Sequence, residues 1–456
     1  MKSTRYIEID TANRRLPKEF HQSSPARPPR RLNPLTDCEK CYAVPSNFES
    51  IFMIRAALPQ CVAYAALVAV CALMPLSAHA DEALSARPTF TTSEIKSILS
   101  HGPWPTRAPR DPTNRVSDKP EAIEFGTRLF FDQRLSGKGQ VSCASCHVPE
   151  RNWTDNLRRG VGMAELDRKT PTLVNLRGAR WFSWDGAADS LWSQSLRPML
   201  DERELAATPR HVAQFVRNDE QLACRYQRTF GAPAAAADDE AVFVNIGKTL
   251  AAFMETLVSS RTPFDNFRDA LAVGKVPSEG TYSEAAQRGL KIFIGKGSCI
   301  ACHAGPNFSS GEFFSTGLSR YAPHGKPDAG RSDGIRQLLA SRFNLLGPYN
   351  DDRTQATATH TRQAALEKRG IGEFKVPTLR NLVLTAPYGR DGSIDSIAEV
   401  VKHYSNIDPA RLHAKDGKPG TPLKLTQREQ TDLVVFLESL STFTNPWRPD
   451  DGGRCE

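Results

Sequence analysis

Two five-residue runs, Cys143-Ala144-Ser145-Cys146-His147 and Cys299-Ile300-Ala301-Cys302-His303, share the pattern C-x-x-C-H. Two thiols one helical turn apart can each add to a vinyl group on one edge of a porphyrin, and the next residue offers an imidazole to the iron. Zinc is the rival chemistry for Cys and His. It needs two such pairs close together, and these lie 156 residues apart. The pattern points to two covalently attached c-type haems. Cys143, Cys146, Cys299 and Cys302 would bind them, and His147 and His303 would ligate the irons.

Working outward, the sequence repeats itself around both runs. Glu121-Ala122-Ile123-Glu124-Phe125-Gly126-Thr127-Arg128-Leu129-Phe130 precedes the first, and Glu284-Ala285-Ala286-Gln287-Arg288-Gly289-Leu290-Lys291-Ile292-Phe293 the second. Both fit E-A-x-x-x-G-x-basic-aliphatic-F, a short amphipathic helix leading into the motif. Downstream, Pro171-Thr172-Leu173, Asn175-Leu176, Asp185-Gly186 and Asp189-Ser190-Leu191 recur 206 residues later as Pro377-Thr378-Leu379, Asn381-Leu382, Asp391-Gly392 and Asp395-Ser396-Ile397. Each half ends on a helical pattern: Ile246, Leu250, Phe253 and Leu257, then Leu433, Phe436, Leu437 and Leu440, the latter opened by a Thr426/Glu429 capping box. The expected fold is mostly α, with two similar haem domains in tandem, residues 81–265 and 266–456, joined near Ser260–Gly280. The second carries an insertion at about 319–370, whose His324 and His360 read as solvated loop histidines.

The chain has 456 residues, 39% hydrophobic and 24% charged, which excludes a disordered or collagen-like protein. Its excess of eight basic groups is scattered rather than blocked, so no nucleic-acid partner is expected. Residues 1–52 are proline-rich and basic without apolar period and read as a disordered or mis-assigned extension. Met53-Ile54-Arg55, the apolar run Val62–Leu76 and Ala78-His79-Ala80 then make a secretory signal over 53–80, with an uncleaved anchor as the alternative. Export to the periplasm suits haem attachment outside the cytoplasm. It also leaves Cys224 and Cys455 as either a disulfide or two inert thiols.

Carried further, the 206-residue offset sets Tyr404 of the second half opposite Pro198 of the first. A phenolate can ligate iron and a proline cannot, so the second iron would be closed by Tyr404 and the first left open. His403 is the neighbouring candidate, but it lies about 100° around the same helix, so both cannot face the iron.

Taken together, Leu129-Phe130-Phe131-Asp132, Arg134-Leu135-Ser136, both C-x-x-C-H runs, Trp184-Asp185-Gly186, Gln194, Pro198, Glu204 and Leu384-Thr385-Ala386-Pro387-Tyr388 resemble the bacterial dihaem cytochrome c peroxidases and their relative MauG. The resemblance covers residues 85–445. It implies two cytochrome c-like domains with the haems near their interface, a peroxidatic first haem, and a second that stores or relays an electron. It implies that Trp184 relays electrons between the haems, and that Glu204 and Gln194 flank bound peroxide. The carboxyl would shuttle a proton between the peroxide oxygens and the amide would orient them. Tyr404 matches a position held by methionine in typical peroxidases and tyrosine in MauG; as a harder, anionic donor it would lower the iron potential.

Three departures from the family follow. Its histidine on the resting first haem aligns near Val161, and no histidine occurs between His147 and His211, so the first haem is expected open at rest. An asparagine of the inter-haem calcium site is Lys169 here, which argues against calcium because an ammonium can replace its charge. A histidine after the second P-Y pair is Arg390, expected to pair with a haem propionate. The resulting reading is an exported dihaem peroxidase that uses hydrogen peroxide to oxidise a small periplasmic redox protein or another protein donor. A homodimer is implied by resemblance. The alternatives are a MauG-type enzyme that modifies a protein substrate, and a dihaem electron carrier without peroxide chemistry.

Overall fold

Gly126 and Gly289, the glycines of the two E-A-x-x-x-G runs, sit where helices cross. In the computed structural model, α2 (Pro120–Phe131) crosses α6 (Asp239–Met254), and a β-carbon at Gly126 would lie 2.1 Å from the Thr249 carbonyl oxygen. In the same way α8 (Glu284–Ile294) crosses α12 (Gln427–Glu438), where a β-carbon at Gly289 would lie 2.0 Å from the Asp432 carbonyl. Only glycine allows backbones so close. The phenyl rings that end the two runs repeat the contact as well: Phe130 meets Phe253 at 5.2 Å, and Phe293 meets Phe436 at 5.0 Å. The sequence repeat is therefore a structural repeat. The capping box expected at Thr426 and Glu429 is present.

The structure describes residues 88–275, 281–319, 321–322, 325–364, 371–407, 423–442 and 453–455. The extension and signal assigned to 1–80, and His324, lie outside them. Two hydrophobic cores follow the repeat. Phe125, Phe130, Trp192, Phe243 and Phe253 centre one; Phe264, Phe293, Phe308 and Phe436 centre the other. Helix α6 is buried on all sides from Val242 to Met254 because α2, α3 (Leu191–Leu200) and α4 (Pro209–Asn218) all pack on it. Helices dominate, and the only sheet among the described residues pairs β1 (Phe313–Phe314) antiparallel with β2 (Phe374–Lys375). No described helix is long and apolar enough to cross a membrane.

Three features were not read from sequence. First, α1 (Thr92–Leu99) packs on the second core, where Ile98 is fully buried, against α7 (Pro263–Ala272) and α8. Second, α7 itself occupies the stretch expected to be a joint. Thr262 and Asp265 cap it reciprocally, and Phe264 and Phe267 bury one of its faces. Third, the insertion interrupts the second repeat but folds onto the first. It carries α9 (Arg331–Ala340) and α10 (Thr359–Ala364), and it buries Leu345 and Ala358 in the first core with Phe343, Leu346 and Tyr349 packed alongside. Asp189 of the first half binds it twice, accepting from the Leu345 amide at 2.9 Å and the Thr361 hydroxyl at 2.7 Å. The open question on Cys224 and Cys455 is also answered: they form a disulfide that ties residue 455 to α5 (Glu220–Phe230).

Candidate functional site

Each C-x-x-C-H run occupies a single helical turn, Cys143–Cys146 and Cys299–Ala301, and the four cysteines of the two runs are half-buried and in no disulfide. The two imidazoles are oriented alike. Nδ1 of His147 donates to the Trp153 carbonyl at 2.9 Å, and Nδ1 of His303 to the Phe308 carbonyl at 3.0 Å. A carbonyl only accepts, so the proton sits on Nδ1 and Nε2 keeps its lone pair, the tautomer that iron ligation needs. Burial holds both rings below the usual histidine range, His303 at about 4. The carbonyls of Pro171 and Pro377, from the repeated P-T-L runs, stand beside the same two rings. A thiol pair followed by a neutral imidazole with a free nitrogen, once in each half, fits a covalently attached haem.

On the first half, α3 starts at the Ser190 cap and presents opposite faces to different tasks. Trp192 and Leu196 are buried in the core, whereas Gln194 and Pro198, one turn apart, are half-buried and share the other face. After the helix the chain folds back, with the Leu205 amide on the Pro198 carbonyl at 3.0 Å and the Ala207 amide on Met199 at 2.7 Å. This turn sets Glu204 beside Gln194 in a cleft of about 510 Å³ lined also by Arg197, Ser341 and Phe343. Gln194 Oε1 is buried with no hydrogen-bond partner. Burial pushes the Glu204 carboxyl up to about 7, Asp201 adds to the rise, and Arg197 and Arg203 oppose it. The charge of Glu204 is felt at both Cys143 and Cys146, so the carboxyl lies close to the first C-x-x-C-H turn.

On the second half, α11 (Ile397–Asn406) carries both candidate ligands. They part ways. His403 Nε2 donates to the Thr316 carbonyl at 2.9 Å. Tyr404 faces the other C-x-x-C-H turn: burial pushes its hydroxyl up to about 12, and the Cys302 and Cys299 thiols add to that rise.

Trp184 stands where the halves meet. Its indole Nε1 donates to the Lys169 carbonyl at 2.8 Å, and its own carbonyl accepts the Lys375 amide at 2.8 Å. Lys169 is 6% exposed and its ammonium donates to the Thr154 hydroxyl at 3.2 Å, so it points inward rather than to solvent. Arg390 is likewise buried. It pairs with Asp328 of the insertion at 3.2 Å, donates to the Ser319 carbonyl and lies 4.0 Å over the Phe374 ring, while its Nη1 has no partner. Asp328 also binds Arg168 at 2.7 Å. Val161 is an exposed loop residue whose carbonyl accepts from the Cys146 thiol. His360 is exposed as expected, but it lies in helix α10 rather than in a loop. Sequence reasoning missed Arg197 and the contribution of residues 340–343 to the cleft. The available signal for Arg197 was its place between Gln194 and Pro198 on one helix face.

Comparison with known proteins agrees with this geometry. Residues 120–271 match the family model described as di-haem cytochrome c peroxidase. The chain is 31% identical over 389 residues to the methylamine utilization protein MauG of Methylorubrum extorquens, covering 85% of this chain and 96% of that one. It is 29% identical to the cytochrome-c peroxidase IdrP2 of a Pseudomonas species, covering 79% and 93%. Among solved structures, a MauG-like protein associated with microbial copper homeostasis superposes with a TM-score of 0.55 at 26% identity, over 75% of this chain and 94% of that one. With two C-x-x-C-H turns, a repeated helix crossing and relatives of this kind, the chain belongs to the dihaem cytochrome c peroxidase and MauG family of oxidoreductases.

Proposed function

We propose that the protein is an exported, periplasmic dihaem peroxidase that uses hydrogen peroxide to oxidise a protein electron donor, with MauG-like ligation of its second iron. Cys143, Cys146 and His147 in one half, and Cys299, Cys302 and His303 in the other, would each hold a haem c, and the haems when bound would pass the donor's electrons to peroxide. The observation that carries the reading is the asymmetry between equivalent places of the two halves. One has a cleft with a carboxyl raised to about 7, Glu204, and an unpartnered amide oxygen, Gln194 Oε1; the other has a half-buried phenol, Tyr404. Glu204 takes a proton from one peroxide oxygen and returns it to the other, and Gln194 orients the molecule through Oε1 or its amide donors. Trp184, anchored at both its indole and its carbonyl, carries electrons between the sites. The inward Lys169 ammonium, held by the Thr154 hydroxyl, stands in for the charge of a calcium ion.

Tyr404 favours a second reading of the same chemistry, in which the oxidised partner is a protein side chain that becomes covalently modified. A plain electron carrier would need neither the cleft nor Glu204. The test is stopped-flow spectroscopy of the diferric holoprotein mixed with hydrogen peroxide. A change at both haems within the mixing experiment supports the reading, and two unresponsive, wholly low-spin haems would refute it.

A further inference from the structure

The peroxide cleft is completed by a segment from the opposite half. Helix α9 and the turn after it bring Gln337, Ser341, Arg342 and Phe343 over α3, although they interrupt the second repeat. Their attachment is specific. Phe343 packs on Phe243 at 6.0 Å, and Asp189, directly before the cap of α3, holds Leu345 and Thr361. Arg342 pairs with Glu240 at 3.0 Å and is thereby neutralised. Arg203 is neutralised too, by Asp167 and Asp201. Arg197 differs from both. Its guanidinium donates to the neutral amide oxygen Gln337 Oε1 at 2.7 Å, and it makes no ion pair with any described carboxylate. It lines the same cleft as Glu204 and Gln194.

An arginine with a net charge in this cleft has a use when negative charge changes place there. Proton transfer from peroxide to ionised Glu204 moves one negative charge from the carboxylate to the peroxide oxygen, and no charge is created or lost. A cation in the cleft keeps Glu204 ionised to accept the proton and stabilises the negative charge that develops on the peroxide oxygen. We propose that Arg197, held in position by Gln337 of the insertion, is the positioning cation of the peroxide site, and that the insertion serves the first half by fixing that guanidinium. The proposal rests on the peroxidase reading and goes beyond it by giving the insertion a role. The groups facing Glu204 are Asp201, Arg197 and Arg203, together with the Cys143 and Cys146 sulfurs. Of these, Arg197 is the one cation without a carboxylate partner.

The experiment follows the bimolecular reaction of the diferric holoprotein with hydrogen peroxide against pH in Arg197→Gln, Arg197→Lys, Gln337→Glu and Glu204→Gln. Arg197→Gln should slow the reaction by roughly tenfold to a hundredfold. It should also move the alkaline rise of the rate to higher pH, because a lost positive charge makes Glu204 harder to ionise. Arg197→Lys should recover part of the rate. Gln337→Glu, an exposed change that leaves Arg197 in place but pairs it, should reproduce the slowing and the pH shift in weaker form. Unchanged rates and pH profiles in Arg197→Gln, with Glu204→Gln slow, would overturn this proposal alone. Unchanged rates in both would overturn the peroxidase reading beneath it. Resting haem spectra should be the same in all four, and a lost haem in Arg197→Gln would make it a structural residue and end the proposal.

Discussion

The Lys375 amide donates to the Trp184 carbonyl at 2.8 Å, and at the positions 206 residues away the exchange is returned, the Lys169 amide donating to the Arg390 carbonyl at 2.7 Å. Lys169 and Lys375 are equivalent in the repeat, as are Trp184 and Arg390. The halves are thus clasped by a reciprocal pair of backbone hydrogen bonds. What differs is the side chain at the clasp, an indole on one side and a guanidinium on the other. The indole is held by its Nε1 bond to the Lys169 carbonyl, while the Trp184 backbone carbonyl takes the Lys375 amide.

Trp184→Phe should preserve the backbone clasp, since only the Nε1 hydrogen bond to Lys169 is lost. We expect the first haem to keep its reaction with peroxide while the spectral response of the second is slowed or lost. Rapid-freeze electron paramagnetic resonance on the two irons would check this, and an undiminished response of the second would remove Trp184 from the path.

Tyr404→Phe should change the axial ligation of the second haem and leave the first as it was. The prediction is specific because His403, the one alternative on α11, is already committed to the Thr316 carbonyl. Magnetic circular dichroism of the resting protein is the measurement; an identical spectrum would transfer the ligand role elsewhere.

Glu204→Gln should slow the reaction with peroxide, and it should also stabilise the fold in a pH-dependent way. Burial raises the carboxyl to about 7 from an ordinary value of 4.5, so the folded state holds its proton longer than the unfolded chain does. Wild-type stability is therefore lost as pH rises from about 4.5 through 7. The glutamine variant escapes that loss. It should gain about 3 kcal/mol at pH 8 and nothing at pH 4, read as the difference between the two proteins' denaturation midpoints at each pH.

Cys455→Ser should destabilise the protein by about 2–4 kcal/mol by releasing the cross-link to Cys224, which closes a loop of 231 residues. The Cys224→Ser/Cys455→Ser double variant should match the single one in urea unfolding. Unfolding curves that coincide with the wild type would show that the cross-link contributes little to stability.

Gly289→Ala should cost about 2–4 kcal/mol, because the new methyl meets the Asp432 carbonyl and the α8–α12 crossing must open. Thermal unfolding would report it. A Tm within a degree of the wild type would mean that the crossing yields easily.

The sequence carried the local chemistry and the internal periodicity. Both C-x-x-C-H turns, the helices around Gly126 and Gly289, the cap at Thr426 and the Tyr404–Pro198 contrast depend on residues near one another or on a constant offset. The pairing of Arg197 with Gln337 spans 140 residues and obeys no repeat. The same holds for Ile98, an N-terminal residue buried in the second core, and for the carboxylate of Asp189 that gathers Leu345 and Thr361. Such contacts are chosen by how surfaces fit after the helices form, and a single sequence holds no periodic trace of them. The inward turn of Lys169 was legible only as a substitution of charge, since its burial depends on Thr154 and the loop above it.

Because Leu345 and Ala358 are seated among the aromatic side chains of the earlier repeat, cutting the polypeptide between the repeats would not yield two working proteins. The N-terminal piece would come away with an uncovered greasy face and a cleft lacking one wall, and its counterpart would carry a long appendage with nothing to grip.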